Sequence, residues 1–132
     1  MKILIMGLPG SGKTTLAESL QKRLDCPWFN ADVVRKMYND WEFSYDGRIR
    51  QAYRMWSMAS RCPNSNYILI DMVAPTEEMR EIITPNLTIW MNTIETSKYL
   101  DTDAIFEPPN YVEIEITGFD YDIEDIMKRI VR

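Results

Sequence analysis

One segment near the start of the chain constrains its fold more than any other feature. Residues 7–14 read GLPGSGKT and match the pattern Gly-x-x-x-x-Gly-Lys-Ser/Thr at every fixed position. The apolar residues 3–6 come before it, and residues 14–24, with leucines four positions apart, predict a helix directly after it. In this strand–loop–helix context, inward-facing backbone N–H groups and the helix N-terminus bind phosphate. The sequence therefore predicts a phosphate loop that binds a nucleotide.

The chemistry of this loop favours ATP with Mg²⁺. We expect the Lys13 ammonium to reach the β- and γ-phosphates and to act in catalysis, and the Thr14 hydroxyl to ligate Mg²⁺. Asp71 is a second metal candidate, because an acidic residue on a strand beside a phosphate loop can orient Mg²⁺ through water. The alternative is a buried aspartate paired with a neighbour. The expected phosphate-binding residues are Gly7, Leu8, Pro9, Gly10, Ser11, Gly12, Lys13, Thr14 and Thr15.

Strand and helix patterns alternate along the chain. Short apolar runs predict strands over residues 3–6, 28–29, 67–73, 87–91 and 111–116. Amphipathic spacing predicts helices over residues 14–24, 31–40, 46–61, 76–83 and 122–131. The polar residues 92–110 are predicted as a loop, and Thr76 as a helix cap. The alternation predicts an α/β, three-layer fold in which helices flank a mostly parallel central sheet, and a single domain over residues 1–132. With the phosphate loop after the first strand, this arrangement resembles the P-loop kinase fold.

The composition excludes several classes of function. The chain of 132 residues has no histidine, which removes histidine-based acid–base catalysis and most zinc sites. Its net charge of −5 disfavours nucleic acid as a partner without excluding it. Cys26 and Cys62 are far apart and are expected to be reduced thiols. No apolar run approaches the roughly 20 residues of a membrane span or the roughly 7–15 of a signal peptide, so we expect a cytoplasmic protein without a membrane partner.

Residues on the acceptor side of the reaction follow the second predicted strand. Asp32 comes where the chain leaves the sheet, on the side that faces the phosphate loop. Its carboxylate could orient or deprotonate an acceptor hydroxyl; the alternative is an aspartate that caps the next helix. Arg50 and Arg54, one helical turn apart, suit a phosphate or sulfate group, and Phe43 could stack on a base. The alternative is a solvated helix face beside a core phenylalanine.

The order of several segments resembles the adenylyl-sulfate kinase family. These segments are GLPGSGKTTLA (7–17), NADVVR (30–35), FSYDGR (43–48), Val73-Ala74-Pro75 with Arg80, and Phe106-Glu107-Pro108-Pro109. The resemblance implies transfer of the γ-phosphate of ATP to a hydroxyl of adenylyl sulfate or a similar small nucleotide-like acceptor. It implies that Asp32 is the carboxylate at the acceptor hydroxyl. It also implies that Arg35, Phe43 and Arg48 hold the acceptor, with Gln51 in place of the family's asparagine.

The sequence departs from this family in its lid. The family's basic lid segment has no clear counterpart, and Lys98 is the only basic residue between Arg80 and Lys128. We therefore expect a short or missing lid over the transferring phosphoryl group. Two other functions stay open: a polynucleotide- or nucleoside-type P-loop kinase, and a nucleotide-binding protein with weak or no catalysis. The sequence also leaves open whether the chain forms a homodimer.

Overall fold

The computed structural model describes residues 1–131 and contains a five-stranded sheet flanked by helices. The strands are β1 (Lys2–Met6), β2 (Trp28–Asn30), β3 (Ile68–Asp71), β4 (Leu87–Met91) and β5 (Ile114–Ile116). The helices are α1 (Lys13–Leu24), α2 (Ala31–Tyr38), α3 (Tyr45–Ser60), α4 (Glu77–Ile83), α5 (Leu100–Ile105) and α6 (Ile123–Ile130). The strands pair in parallel, in the order β2-β3-β1-β4-β5. The predicted α/β fold is confirmed.

The register of the strands determines where a site can form. β1 lies between β3 and β4, and Ile5 of β1 is paired with Asp71 of β3. On the other side of β3, Asp71 is paired with Asn30 at the end of β2. Since the carboxyl ends of parallel strands meet at one edge of the sheet, the loop that follows Met6 lies beside Asn30 and Asp71.

Alternate side chains of the central strand enter two different cores. Ile3 and Ile5 pack into the core that α1 and α6 cover, whereas Leu4 and Met6 pack into the core that α2, α3 and α4 cover. All four side chains are completely buried. Complete burial of such a side chain stabilises the folded state by roughly 1.5–3 kcal/mol. Helices therefore cover both faces of the sheet, as the uninterrupted apolar run of β1 predicts.

Side-chain caps fix the starts of three helices near the site. Thr76 accepts a hydrogen bond from the Met79 N–H, which confirms the predicted cap of α4. Ser44 caps α3 in the same way. α2 is capped by Asn30, whose side-chain oxygen accepts from the Val33 N–H at 3.0 Å. The alternative that Asp32 is the cap is therefore wrong, and its carboxylate is left for another role.

The segment predicted as a loop over residues 92–110 contains the short helix α5. The prediction was wrong because α5 has no apolar stripe: its one buried residue is Thr102. Thr102 accepts a hydrogen bond from Arg48 of α3, so contacts from elsewhere in the chain stabilise the helix. The last strand is shorter than predicted, since β5 covers Ile114–Ile116 and Tyr111 is exposed.

Two expectations from composition can be compared with the structure. Cys26 and Cys62 are both free thiols, as predicted. Within residues 1–131, no helix combines the length and the apolar character that crossing a membrane requires.

Candidate active site

The phosphate loop connects β1 to α1 and depends on its glycines. Gly12 precedes the first turn of α1 with a φ of 96°, a conformation that other residues rarely adopt. At Gly7, an added Cβ would lie 2.7 Å from the Met91 carbonyl oxygen, so no side chain fits between the loop and β4. These two positions hold the loop close to the sheet and point the free N–H groups of α1 outward. The arrangement suits an anion at the helix N-terminus.

Lys13 is folded back onto the phosphate loop. Its Nζ donates to the Leu8 carbonyl oxygen at 3.0 Å, and the side chain is buried. Burial lowers the pKa of the Lys13 ammonium, whereas the negative charges of Asp71 and Asp32 act to raise it. A buried cation whose nearest partner is a neutral carbonyl suits a site that later receives negative charge.

Three residues from separate segments meet where the loop adjoins β3. The Thr14 hydroxyl donates to Asp71 Oδ2 at 3.0 Å, and Asn30 Nδ2 donates to the same oxygen at 2.8 Å. Asn30 Nδ2 also lies 3.3 Å from Thr14 Oγ1. The predicted metal candidates Thr14 and Asp71 are thus brought into direct contact. Asn30 joins them, although its sequence pattern predicted no such role.

This corner has the oxygen donors that Mg²⁺ prefers. Burial raises the pKa of the Asp71 carboxyl group, while the hydrogen bond from Asn30 and the charge of Lys13 partly offset that effect. Among residues 1–131, no three acidic, cysteine or histidine side chains converge as a complete metal cage. Mg²⁺ is usually bound by one or two protein oxygens, with phosphate and water completing its shell. The Thr14 hydroxyl and the Asp71 carboxylate fit that kind of site.

Asp32 lies in the first turn of α2, next to the phosphate loop. Its side chain is exposed, and its charge acts to raise the pKa of Lys13 and of Arg35. The carboxylate is therefore near enough to Lys13 and to Arg35 for its charge to act on both cations. No cap or hydrogen bond of the described residues occupies it. An acceptor hydroxyl placed beside it could donate its proton there.

Phe43 lies within cation–π distance of two arginines that the sequence resemblance groups with it. The guanidinium carbon of Arg35 lies 4.3 Å from the centre of the Phe43 ring, and that of Arg48 lies 5.6 Å away. Both arginines are buried, whereas the ring is 48% exposed. The Phe43 side chain is therefore about half exposed to solvent although it contacts two buried arginines, so the alternative of a core phenylalanine is wrong.

Phe43 and Arg48 line a cavity of about 680 Å³ that α3, α4 and α5 enclose. Asp101 and Ile105 of α5 form one wall, and Phe106 follows them. Arg48 contacts this wall, because its guanidinium donates to Thr102 Oγ1 at 3.2 Å and lies 3.8 Å from Asp101 Oδ2. The short lid segment thus borders the predicted acceptor side.

Gln51 occupies a different place from the other predicted acceptor residues. It is 1% exposed and does not line this cavity. Its Nε2 donates at 2.9 Å to the carbonyl oxygen of Ala31, the residue that directly precedes Asp32. Gln51 therefore fixes α3 against the start of α2.

Arg50 and Arg54 share one partner, Asp40. Asp40 Oδ2 lies 2.8 Å from Arg50 Nε and 2.8 Å from Arg54 NH1. The guanidinium of Arg54 also stacks on Tyr38, 4.3 Å from the ring centre. The cationic stripe predicted on α3 exists, but both of its arginines are already paired with a carboxylate of the chain.

Two other segments singled out in the sequence contact each other across the site. Arg80 of α4 donates to the carbonyl oxygens of Ala74 at 2.9 Å and Glu107 at 2.5 Å. Its guanidinium carbon also lies 5.5 Å from the Phe106 ring centre. Arg80 therefore ties the end of the lid segment to the turn after β3.

Sequence reasoning missed two contacts of the phosphate loop. Thr93 Oγ1 donates to the Ser11 carbonyl oxygen at 2.7 Å. An added Cβ at Gly12 would lie 3.3 Å from Cε1 of Phe119, a ring that is 60% exposed after β5. Neither residue belongs to a local motif, so only the fold brings them to the loop.

The parallel sheet, the phosphate loop and the acidic end of the adjacent strand are the features of a P-loop α/β fold. Residues 3–106 match the family described as AAA domain, and the chain belongs to that family. No curated protein sequence matches the chain.

Several solved kinase structures share this fold. The APS kinase CysC of Mycobacterium tuberculosis, in complex with AMPPNP and APS, has a TM-score of 0.81 and 16% identity, over 98% of this chain and 94% of that chain. A hexameric APS kinase from Thiobacillus denitrificans has a TM-score of 0.70 and 23% identity, over 98% of this chain and 27% of that chain. Shikimate kinase from Aquifex aeolicus has a TM-score of 0.65 and 18% identity, over 99% of this chain and 94% of that chain. At these identities the likeness is one of fold.

Proposed function

We propose that this protein is an ATP-dependent phosphotransferase that transfers the γ-phosphoryl group to a hydroxyl of adenylyl sulfate or a similar nucleotide-like acceptor. One observation carries the proposal. Asp32 is exposed in the first turn of α2, and its charge acts both on Lys13 of the phosphate loop and on Arg35, whose guanidinium lies over the Phe43 ring. A kinase needs a phosphate site and an acceptor site, and a carboxylate near both can accept the proton of the acceptor hydroxyl.

On the donor side, the loop amides and Lys13 bind the phosphates of ATP. Lys13 exchanges its bond to the Leu8 carbonyl oxygen for phosphate oxygens, and its charge offsets the negative charge that develops during transfer. Thr14 and Asp71 would hold Mg²⁺. That ion, when bound, neutralises the β- and γ-phosphate oxygens.

On the acceptor side, Phe43 offers an open aromatic face on which a base can stack. Arg35 and Arg48 add positive charge beside that ring, which suits an acceptor with a phosphate or sulfate group. Asp32 accepts the proton of the acceptor hydroxyl while the hydroxyl oxygen bonds to the γ-phosphorus. ADP leaves with the electrons of the broken P–O bond.

The alternative of a nucleic-acid kinase has less support. A nucleic-acid track needs cations that are free to meet phosphates along a strand. The arginines that the sequence offers for it, Arg50 and Arg54, are paired with Asp40. The net charge of −5 also disfavours nucleic acid as a substrate.

The test is ADP formation from ATP with each of three acceptors: adenylyl sulfate, adenosine, and an oligonucleotide with a 5′-hydroxyl. We expect adenylyl sulfate to be phosphorylated fastest, with the product identified by ³¹P NMR. Lys13→Ala is the matched inactive control, because it removes phosphate binding at an intact loop. Arg48→Ala should weaken acceptor binding and leave ATP affinity nearly unchanged. Preference for the oligonucleotide would favour the nucleic-acid kinase, and ATP binding without turnover of any acceptor would favour a nucleotide-binding protein.

A further inference from the structure

The loop that carries Phe43 is held from both adjoining helices. We call residues 39–44, which connect α2 to α3, the acceptor loop. From α2, Arg35 NH1 donates to the carbonyl oxygens of Asp40 at 3.1 Å and Glu42 at 3.2 Å. From α3, Arg48 Nε donates to the Phe43 carbonyl oxygen at 2.8 Å. The two arginines that flank the Phe43 ring therefore also hold the backbone of its loop.

Asp40 makes most of the side-chain contacts between the acceptor loop and the arginines of α3, and Glu42 Oε2 adds a longer ion pair with Arg50 NH2 at 3.6 Å. Asp40 accepts from Arg50 Nε at 2.8 Å and NH2 at 3.2 Å, and its Oδ2 lies 2.8 Å from Arg54 NH1. Asp40 Oδ1 also accepts from the Glu42 N–H at 3.1 Å, inside the loop itself. The Asp40 side chain is 12% exposed, so these charge-assisted bonds are partly shielded from water.

The acceptor loop lies directly on α3, with no space between them. An added Cβ at Gly47 would stand 2.2 Å from the Glu42 carbonyl oxygen. The Ser44 hydroxyl adds a second bond, since it donates to Glu42 Oε2 at 2.5 Å. The loop therefore depends on a close approach to α3 at Gly47, in addition to the pairing of Asp40 with Arg50 and Arg54 further along the helix.

We propose that Asp40 is a positioning residue of the acceptor site, which binds Arg50 and Arg54 and so holds the Phe43 ring over the Arg35 guanidinium. Asp40, Arg50 and Arg54 form a clamp on the acceptor loop and are assigned no contact with phosphate or acceptor. Its effect on the acceptor rests on the proposed function, whereas its effect on the loop can be measured with no acceptor present.

The acceptor-free test is hydrogen exchange measured by mass spectrometry. Asp40→Asn keeps the shape of the side chain and removes the charge that binds both arginines. We expect faster exchange in peptides that cover residues 39–47 and no change in residues 7–14. Glu18→Gln is the matched control, because it removes a carboxylate from an exposed ion pair with Lys22 on α1. Arg50→Gln should repeat the Asp40→Asn result. Unchanged exchange over residues 39–47 in both folded variants would overturn the proposal.

The kinetic test uses adenylyl sulfate as the acceptor and separates positioning from general destabilisation. Asp40→Asn should raise the KM for the acceptor about 10- to 100-fold, as expected when a binding group is misplaced by about 1 Å, and leave the KM for ATP nearly unchanged. Adding Arg50→Gln to Asp40→Asn should cause no further loss, because the two residues act through each other. A further loss in the double variant would mean that Arg50 acts on the acceptor site by a route other than Asp40, such as its ion pair with Glu42 or direct contact with substrate, and would overturn the proposal. If the wild type does not phosphorylate adenylyl sulfate, the proposed function fails. The exchange result alone then decides whether Asp40 holds the acceptor loop.

Discussion

The Thr14 hydroxyl donates a 3.0 Å hydrogen bond to the Asp71 carboxylate across 57 positions of sequence. The bond joins the first turn of α1 to the end of β3, and the oxygen that accepts it also accepts from Asn30. Asp71 is 2% exposed, and burial raises the pKa of its carboxyl group. Burying an ionised carboxylate costs folding free energy. A role in binding a metal ion next to nucleotide phosphates can explain why the chain has a carboxylate at this position.

The first prediction is that Asp71→Asn stabilises the nucleotide-free protein at neutral pH. A carboxyl group whose pKa is raised on folding binds its proton more tightly in the folded state, so folding stability falls as the pH rises from about 3.9, its ordinary value, through the folded pKa. The asparagine has no charge to bury. Calorimetry at several pH values should therefore give a higher Tm for the variant at neutral pH, with a smaller gain in acid. A lower Tm at neutral pH would mean that the hydrogen bonds of Asp71 outweigh the cost of burying it.

The second prediction concerns the activity of the same variant. Asp71→Asn should lower ATP turnover and raise the Mg²⁺ concentration needed for half-maximal rate, because one metal-directed oxygen loses its charge. A titration of Mg²⁺ at fixed ATP measures this change. Glu18→Gln, on the exposed face of α1, is the control and should titrate like the wild type. An unchanged Mg²⁺ requirement in Asp71→Asn would remove Asp71 from the metal site.

The third prediction separates chemistry from helix stability at Asp32. Because Asn30 caps α2, Asp32→Asn should change the Tm little. Loss of a general base typically costs 10²–10⁴-fold in rate, so we expect turnover to fall by about that factor. Turnover and Tm measured on the same preparation distinguish a catalytic role of Asp32 from a role in the stability of α2. A lower Tm with near-normal turnover would assign Asp32 to the stability of α2.

Local patterns explain why the donor side could be predicted from sequence and parts of the acceptor side could not. The phosphate loop is contiguous, and the strand that carries Asp71 is a plain apolar run, so both were predicted. Helical spacing places Arg50 and Arg54 on one face, but it does not reveal that Asp40, on a loop, pairs with both. The helix α5 was missed because its buried contact is with Arg48, 54 positions earlier in the chain. Periodicity predicts faces of helices, whereas these partners depend on how the loops fold.

The last prediction concerns the short lid, which touches the acceptor side through Thr102. The Thr102 hydroxyl accepts from the buried guanidinium of Arg48, whereas Lys98 is exposed with its Nζ 5.7 Å from the Tyr99 ring centre. Thr102→Val keeps the shape of the side chain and leaves Arg48 without one buried partner, at a cost of about 1–3 kcal/mol. We expect α5 to loosen over the cavity and admit water, so that more ATP is hydrolysed for each acceptor phosphorylated.

Lys98→Ala is the matched control within the same lid and should change little, since its ammonium contacts only an exposed ring among the described residues. The measurement is the ratio of ADP formed to acceptor phosphorylated, for each variant and the wild type. The ratio should rise in Thr102→Val and stay unchanged in Lys98→Ala. If Lys98→Ala stops turnover while Thr102→Val behaves normally, the lid acts on the transferring phosphoryl group through its one lysine and not on the acceptor through Arg48.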